Sequence, residues 1–133
     1  MANILMISEV KNFIVTSLSE HIEKEKNKVY FVNSDLDEIE KIKEEMHAFF
    51  ICIENALVKN TDLLVYLKDK ANEDNIPIFL LGSEEQMELI DQIIPQQFIK
   101  MRYHRPINVK EVAVSLSEYL EKMIIIKRKK YWW

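Results

Sequence analysis

The chain has 133 residues, 48% hydrophobic and 30% charged, which predicts a single globular domain with its own core. Its 22 acidic and 18 basic residues give a net charge of −4, which argues against general nucleic-acid binding. The one cysteine, Cys52, and the one glycine, Gly82, exclude a disulfide framework and the glycine-rich loops that cradle phosphates in nucleotide-binding proteins.

Short apolar runs alternate with amphipathic stretches about five times along the chain. The runs, at residues 4–7, 29–32, 49–53, 78–81 and 98–101, are typical of strands, and the last is polar enough for a sheet edge. The amphipathic stretches predict helices with one apolar face each. Those faces are Phe13, Ile14, Leu18 and Ile22; Leu36, Ile39, Ile42 and Met46; Leu63, Leu64, Leu67 and Ala71; Met87, Ile90 and Ile94; and Val109, Val112, Leu116, Leu120 and Met123.

Capping signals mark where several helices begin and end. Ser83 followed by Gln86 matches a capping box, and Pro95 ends the helix that this box opens. Asn108 followed by Glu111 has the same spacing at the start of the last helix. Strand and helix alternation of this kind predicts an α/β fold, a doubly wound five-stranded parallel sheet with helices on both faces.

In such sheets the functional crevice lies at the carboxyl ends of the strands. Polar residues follow several predicted strands there, so they are the candidate site residues. They are Ser8, Glu9, Asn33, Ser34, Glu54, Asn55, Gly82, Ser83 and the segment 102–106.

From residue 3 to about residue 123 the sequence resembles a response regulator receiver domain of the CheY-like superfamily. Four segments carry the likeness: NILMISE at 3–9, FFICIEN at 49–55, IPIFLLGS at 76–83 and HRPIN at 104–108. They are similar to the first, third and fourth strands of receivers and to the Lys-Pro turn before the last helix. The resemblance implies the flavodoxin-like (βα)5 fold with strand order 2-1-3-4-5.

The positions that carry receiver chemistry are altered, which identifies a degenerate pseudo-receiver. Receivers have two acidic residues for magnesium, a phosphoacceptor aspartate, a hydroxyl residue, a lysine before proline and an aromatic switch residue. Ser8 and Glu9 stand at the positions of the two acidic residues, and Glu54 (or Ile53 if the alignment slips by one) stands at that of the phosphoacceptor. Gly82, with Ser83 beside it, replaces the hydroxyl residue. Arg105 replaces the lysine, and Arg102, with Tyr103 beside it, replaces the aromatic switch residue.

Glu54 is the central candidate of this altered pocket. Arg105 is a permanent cation with a planar fork, so we predict an ion pair between Glu54 and Arg105 across the crevice. The alternative is a solvated carboxylate just past the strand. Glu9 and Glu54 are weak metal candidates, because magnesium prefers near-octahedral oxygen coordination and Ser8 replaces one carboxylate. We therefore predict no cofactor, with Mg²⁺ doubtful.

These features predict a module that is not an enzyme and that acts by protein–protein interaction in bacterial two-component signal transduction. The alternatives are a phosphorylatable receiver with a divergent acceptor site and a small-ligand binding domain that uses the same crevice. The predicted partners are another protein or an output domain, and a second copy in a homodimer. The predicted interaction surface comprises Met87, Ile90, Ile94, Arg102 and Tyr103.

Two sequence features concern location and the C-terminus. No signal-peptide pattern and no apolar stretch of about 20 residues is present, so we expect a cytoplasmic protein without membrane or direct nucleic-acid binding. Residues 1–123 form the predicted receiver-like domain. Residues 124–133, which contain the basic run 127–130 and end in two tryptophans, are predicted to be a helix extension or a truncated linker.

Overall fold

The computed structural model describes residues 2–131, with side chains up to residue 126. Its centre is one parallel five-stranded sheet in the order β2-β1-β3-β4-β5. The strands are β1 (Asn3–Ile7), β2 (Lys28–Val32), β3 (Ala48–Cys52), β4 (Ile78–Leu81) and β5 (Ile99–Tyr103). The predicted fold class and strand order are confirmed.

Five α-helices connect and cover the strands. They are α1 (Phe13–Lys24), α2 (Leu36–Glu40), α3 (Thr61–Asp74), α4 (Glu84–Asp91) and α5 (Val109–Tyr131), with single 3₁₀ turns at Leu57–Lys59 and Gln96–Phe98. The predicted capping box is present: the Ser83 hydroxyl accepts a hydrogen bond from the Gln86 amide, and the Gln86 side chain accepts one from the Ser83 amide.

The sheet separates two apolar clusters, because successive side chains of a strand point to opposite faces. Leu5, Phe49 and Leu80 point toward α2, α3 and α4. Met6, Phe50 and Phe79 point toward α1 and α5. Both clusters are fully buried, so the central strands read as continuous apolar runs, as strands covered on both faces do.

Helix α2 is much shorter than predicted, since it ends at Glu40 instead of continuing to Met46. The reason is a set of hydrogen bonds to the start of β1. The Asn3 side chain donates to the Glu45 carbonyl, and the Asn3 amide donates to Nδ1 of His47, whose own amide donates to the Asn3 carbonyl. These bonds hold the chain extended before β3 and override its helical propensity. Met46 still packs on the core.

The predicted apolar face of α1 is also partly wrong. The buried residues of the helix are Val15, Leu18, Ser19 and Ile22, whereas Phe13 is 85% exposed. Phe13 precedes Val15 by two positions, about 200° around a helix, so the two side chains cannot lie on the same face.

Helix α5 continues well past the core. Up to residue 126, its last buried residue is Leu120, and Met123 packs partly on the cluster beneath α1 and α5. The helix itself continues to Tyr131. The predicted division at residue 123 stays a prediction, and Trp132 and Trp133 lie outside the described residues. No helix between residues 2 and 131 is long and apolar enough to cross a bilayer.

Candidate functional site

The candidate crevice lies where β1 and β3 end side by side at the carboxyl edge of the sheet. The chain passes from β1 to β2 on one side of it and then crosses to β3 on its other side, so the strand order reverses here; doubly wound sheets bind ligands at such a switch point. Ser8 and Glu54 follow these two strands, and the structure brings them together. The Ser8 hydroxyl lies 3.4 Å from Glu54 Oε1, a long contact, and 2.8 Å from the Val10 carbonyl.

Backbone hydrogen bonds fix the position of Glu54. The Ile53 amide donates to the Leu81 carbonyl of β4, and the Glu54 carbonyl accepts from the amides of Leu57 and Val58. Ile53 is 1% exposed and belongs to the core, whereas Glu54 is half-buried. The side chain that faces the crevice at the end of β3 is therefore that of Glu54, not that of Ile53.

The predicted ion pair between Glu54 and Arg105 is wrong. Among the described side chains, the oppositely charged pairs within 4.0 Å are Lys68–Asp69 and Arg102–Asp91. Arg105 is exposed at the turn that follows β5, where the Arg105–Pro106 peptide bond is cis. An exposed guanidinium keeps its hydration, so a pair with a distant carboxylate would add little stability. Ser8, not Arg105, is the polar neighbour of Glu54.

Glu9 is the crevice carboxylate with an unusual environment. Its Oε1 atom is buried and accepts no hydrogen bond from the described residues. An unpartnered buried oxygen of this kind is a possible cation ligand. Residues 2–126 contain no cluster of three or more His, Cys, Asp or Glu side chains that could hold a metal. The Ser8 hydroxyl, the third nearby oxygen, already donates to the Val10 carbonyl. Glu9 and Glu54 are therefore the two carboxylates that the described crevice could offer to a magnesium ion.

The space beside Gly82 is filled. A Cβ atom at Gly82 would lie 2.9 Å from Gln86 Oε1 and 3.1 Å from Ile53 Cβ, both closer than ordinary contact. Gln86 is held there by the capping box and by its Nε2 donating to Asn55 Oδ1 at 3.2 Å. Ser83 cannot supply the missing hydroxyl freely, because its oxygen caps α4. A hydroxyl residue at position 82 would thus require Gln86 or Ile53 to move.

Cys52, the last residue of β3, lies directly beneath this crevice. Burial raises the pKa of its thiol to about 12, with the negative charge of Glu54 adding to this rise and the positive charge of Arg105 opposing it. The thiol donates only to the thioether sulfur of Met6, at 3.7 Å. Cys52 therefore behaves as a small apolar core residue.

The predicted interaction surface is wrong for its three apolar members. Met87, Ile90 and Ile94 are at most 2% exposed, because α4 and the turn that follows it place them on the sheet beside α3. Arg102 is held by Asp91 of α4 at 2.7 Å. Tyr103 packs inward: its hydroxyl lies 3.0 Å from that of Ser115, its ring stacks on Phe50, and burial raises its pKa.

Sequence reasoning missed the apolar side chains that are truly at the surface. Val10 is 53% exposed and Phe13 85%, and both follow β1 at the edge that carries Ser8 and Glu54. Leu89 was missed as well, whereas the exposed Ile125 and Ile126 belong to the C-terminal segment that the sequence already sets apart. The spacing Val15, Leu18 and Ile22 could have revealed Phe13, since it assigns the opposite side of α1 to solvent.

Comparisons with known proteins support this fold. No family model matches the sequence, and no curated protein matches it. Among solved structures, a response regulator receiver domain protein from Clostridium thermocellum matches with a TM-score of 0.69 and 13% identity, covering 95% of this chain and 99% of that chain. A CheY-like receiver domain protein from Methanospirillum hungatei matches with a TM-score of 0.67 and 15% identity, covering 92% of this chain and 95% of that chain.

A third similar structure comes from the streptococci and is described as a family of redox sensors evolved from two-component response regulators. It matches with a TM-score of 0.73 and 15% identity over 97% of this chain, which spans about half, 55%, of the streptococcal chain. At such identities the likeness concerns the fold alone. The chain has the fold of the receiver domains of two-component response regulators.

Proposed function

We propose that this chain is a pseudo-receiver: a cytoplasmic module of bacterial two-component-type signal transduction that binds a protein partner or output domain without aspartyl phosphorylation and without enzymatic activity. The observation that carries this proposal is the filled space beside Gly82. Phosphoryl transfer needs groups placed to neutralise the charge of the phosphoryl oxygens. A side chain at position 82 would meet Gln86 Oε1 and Ile53 Cβ, so a hydroxyl residue could be placed there only if these neighbours moved.

The carboxylates of the crevice support the same proposal. Glu54 carries one methylene more than an aspartate, so its carboxylate extends into the space that a phosphoryl group would occupy. Its described neighbour is the hydroxyl of Ser8. A magnesium ion would have to be held by Glu9 and Glu54 without the second acidic residue that receivers place after β1. No step of the proposed function therefore uses a metal.

A protein partner would contact the exposed apolar side chains at this edge. Val10 and Phe13 flank the crevice, and Lys11 lies over the ring of Phe31 at 5.4 Å beside them. Aromatic residues such as Phe13 are enriched at protein interfaces. We propose this surface in place of the buried face of α4, with no direct binding of nucleic acid or membrane.

The test is the intact mass of the protein after incubation with acetyl phosphate and Mg²⁺. We expect no mass gain in the wild type or in Glu54→Asp, because the aspartate alone does not restore the groups at positions 8 and 82. A stable, magnesium-dependent gain of one phosphoryl group on the wild type would overturn the proposal in favour of a phosphorylatable receiver. A gain on Glu54→Asp alone would show that the length of Glu54 is the only obstacle.

A further inference from the structure

We propose that the extended part of α5 pairs two copies of this chain in antiparallel orientation, with the basic run of each copy lying on the acidic groove of the other. This goes beyond the proposed function, since it would hold whether or not the crevice accepts phosphate. Three features support the pairing: exposed isoleucines, an acidic groove beside them and the distribution of charge along the chain.

The isoleucines are unusual for a surface. Ile125 is 46% exposed and Ile126 is 56% exposed, while Ile124 is half-buried. They follow the last core contacts of α5, so nothing in the described domain covers them. Consecutive exposed isoleucines on a helix that projects past its domain are favourable to bury against a second helix.

A groove of about 530 Å³ runs along α5 beside these residues. Its floor includes Ala2 and Leu120, and its acidic lining residues are Glu25, Glu118 and Glu121, against one cation, Lys26. None of these three carboxylates lies within 4.0 Å of a cationic group among the described side chains. The groove therefore offers free negative charge next to an apolar strip.

The complementary charge lies in the same helix. Residues 127–130 read Lys-Arg-Lys-Lys, so residues 1–126 contain all 22 acidic residues but only 14 of the 18 basic ones. The basic run of one copy cannot turn back onto its own groove, because α5 is a continuous helix from Val109 to Tyr131. At about 1.5 Å per residue, position 128 lies roughly 15 Å further along the axis than position 118.

An antiparallel pair centred on Ile125 removes this obstacle. In that register two residues lie opposite each other when their numbers add up to 250, because the two-fold axis passes through position 125. Glu121 then faces position 129 of the second copy, and Ile125 faces its own symmetry mate. The contact is the same for both copies, which is the usual form of a two-fold dimer. A parallel pair would instead place the two basic runs side by side, which like-charge repulsion disfavours.

Sedimentation of the full chain at low and high salt tests the pairing. We expect a dimer that weakens with salt, because exposed charges are screened. Ile125→Asp should weaken the dimer at least about tenfold. The control is Leu89→Asp, which places the same charge at a 44% exposed position on α4 and should leave the dimer unchanged.

A reciprocal charge exchange supplies the sharper test. Glu121→Lys should weaken dimerisation, as should Lys129→Glu, because each places like charges opposite one another. The two substitutions combined should restore it. A monomeric wild type, or a failure of the combined variant to restore a dimer while it remains folded, would overturn the proposal. Binding of a monomer to phosphatidylserine vesicles would do the same and would assign the basic run to a membrane surface.

Discussion

At the scale of single residues, the crevice is defined by what surrounds Gly82. Gly82 is not needed for a backbone conformation, since no glycine of the chain has a positive φ. It is needed for space, because Gln86 Oε1 and Ile53 Cβ approach the position of an absent Cβ. Receivers carry a hydroxyl residue at this position, and the glycine found here therefore depends on how closely Gln86 and Ile53 pack around it.

Gly82→Ala tests this coupling. Overpacking of a closely packed site costs about 1–3 kcal/mol, so we expect a loss of this size in the free energy of unfolding measured with urea. In a Gln86→Ala background the loss should be smaller, because the closest neighbour is gone. An equal loss in both backgrounds would contradict the role of Gln86 and leave Ile53 as the obstacle.

Cys52 provides a second test at this scale, through pH. Burial raises its pKa in the folded protein to about 12, above the ordinary value of 9.0, so the folded state favours the protonated thiol. The protonated thiol contributes its full stabilisation of the folded state below pH 9, and this stabilisation is lost as the pH rises toward 12. The unfolding free energy of the wild type should therefore fall relative to that of Cys52→Ala above pH 9, and a constant difference would contradict burial of the thiol.

At the scale of elements, α4 and β5 are joined by one short ion pair. Arg102 and Asp91 are 2.7 Å apart, with side chains 30% and 22% exposed. A double-mutant cycle with Arg102→Met and Asp91→Asn should give a coupling of about 1 kcal/mol in urea unfolding, reduced by salt. The Lys68–Asp69 pair is the control. Its charged atoms are 3.8 Å apart and its side chains are more exposed, so we expect almost no coupling energy between them. Equal coupling in the two cycles would contradict the role assigned to Arg102.

The elements also show what sequence can predict. The sequence predicts β1, β3 and β4 because strands buried on both faces are uniformly apolar. It predicts the start of α4 because the capping box involves only residues close together in the sequence. The length of α2 was not predictable, because it depends on hydrogen bonds between Asn3 and residues 45 and 47. The partner of Glu54 was not predictable either. Charge complementarity suggested Arg105, but the geometry of β1 places the hydroxyl of Ser8 there instead.

At the scale of the whole molecule, a receiver fold is combined with a crevice whose groups differ from those of receivers. The sheet order and both cores need only apolar residues at the right positions, and these are present. Phosphoryl chemistry needs particular groups at the ends of β1, β3, β4 and β5. A fold can therefore persist while its site changes, and a function proposed for it has to be argued from the site.

The most direct test of the pseudo-receiver is a titration of the isotope-labelled protein with Mg²⁺ and beryllofluoride, a stand-in for the phosphoryl group, followed by amide NMR. We expect no saturable shift of the amides of Glu54, Gly82 and Ser83, because position 82 lacks a hydroxyl group and Ser8 replaces one of the two acidic residues that follow the first strand of receivers. Saturable, magnesium-dependent shifts at these three amides would contradict it.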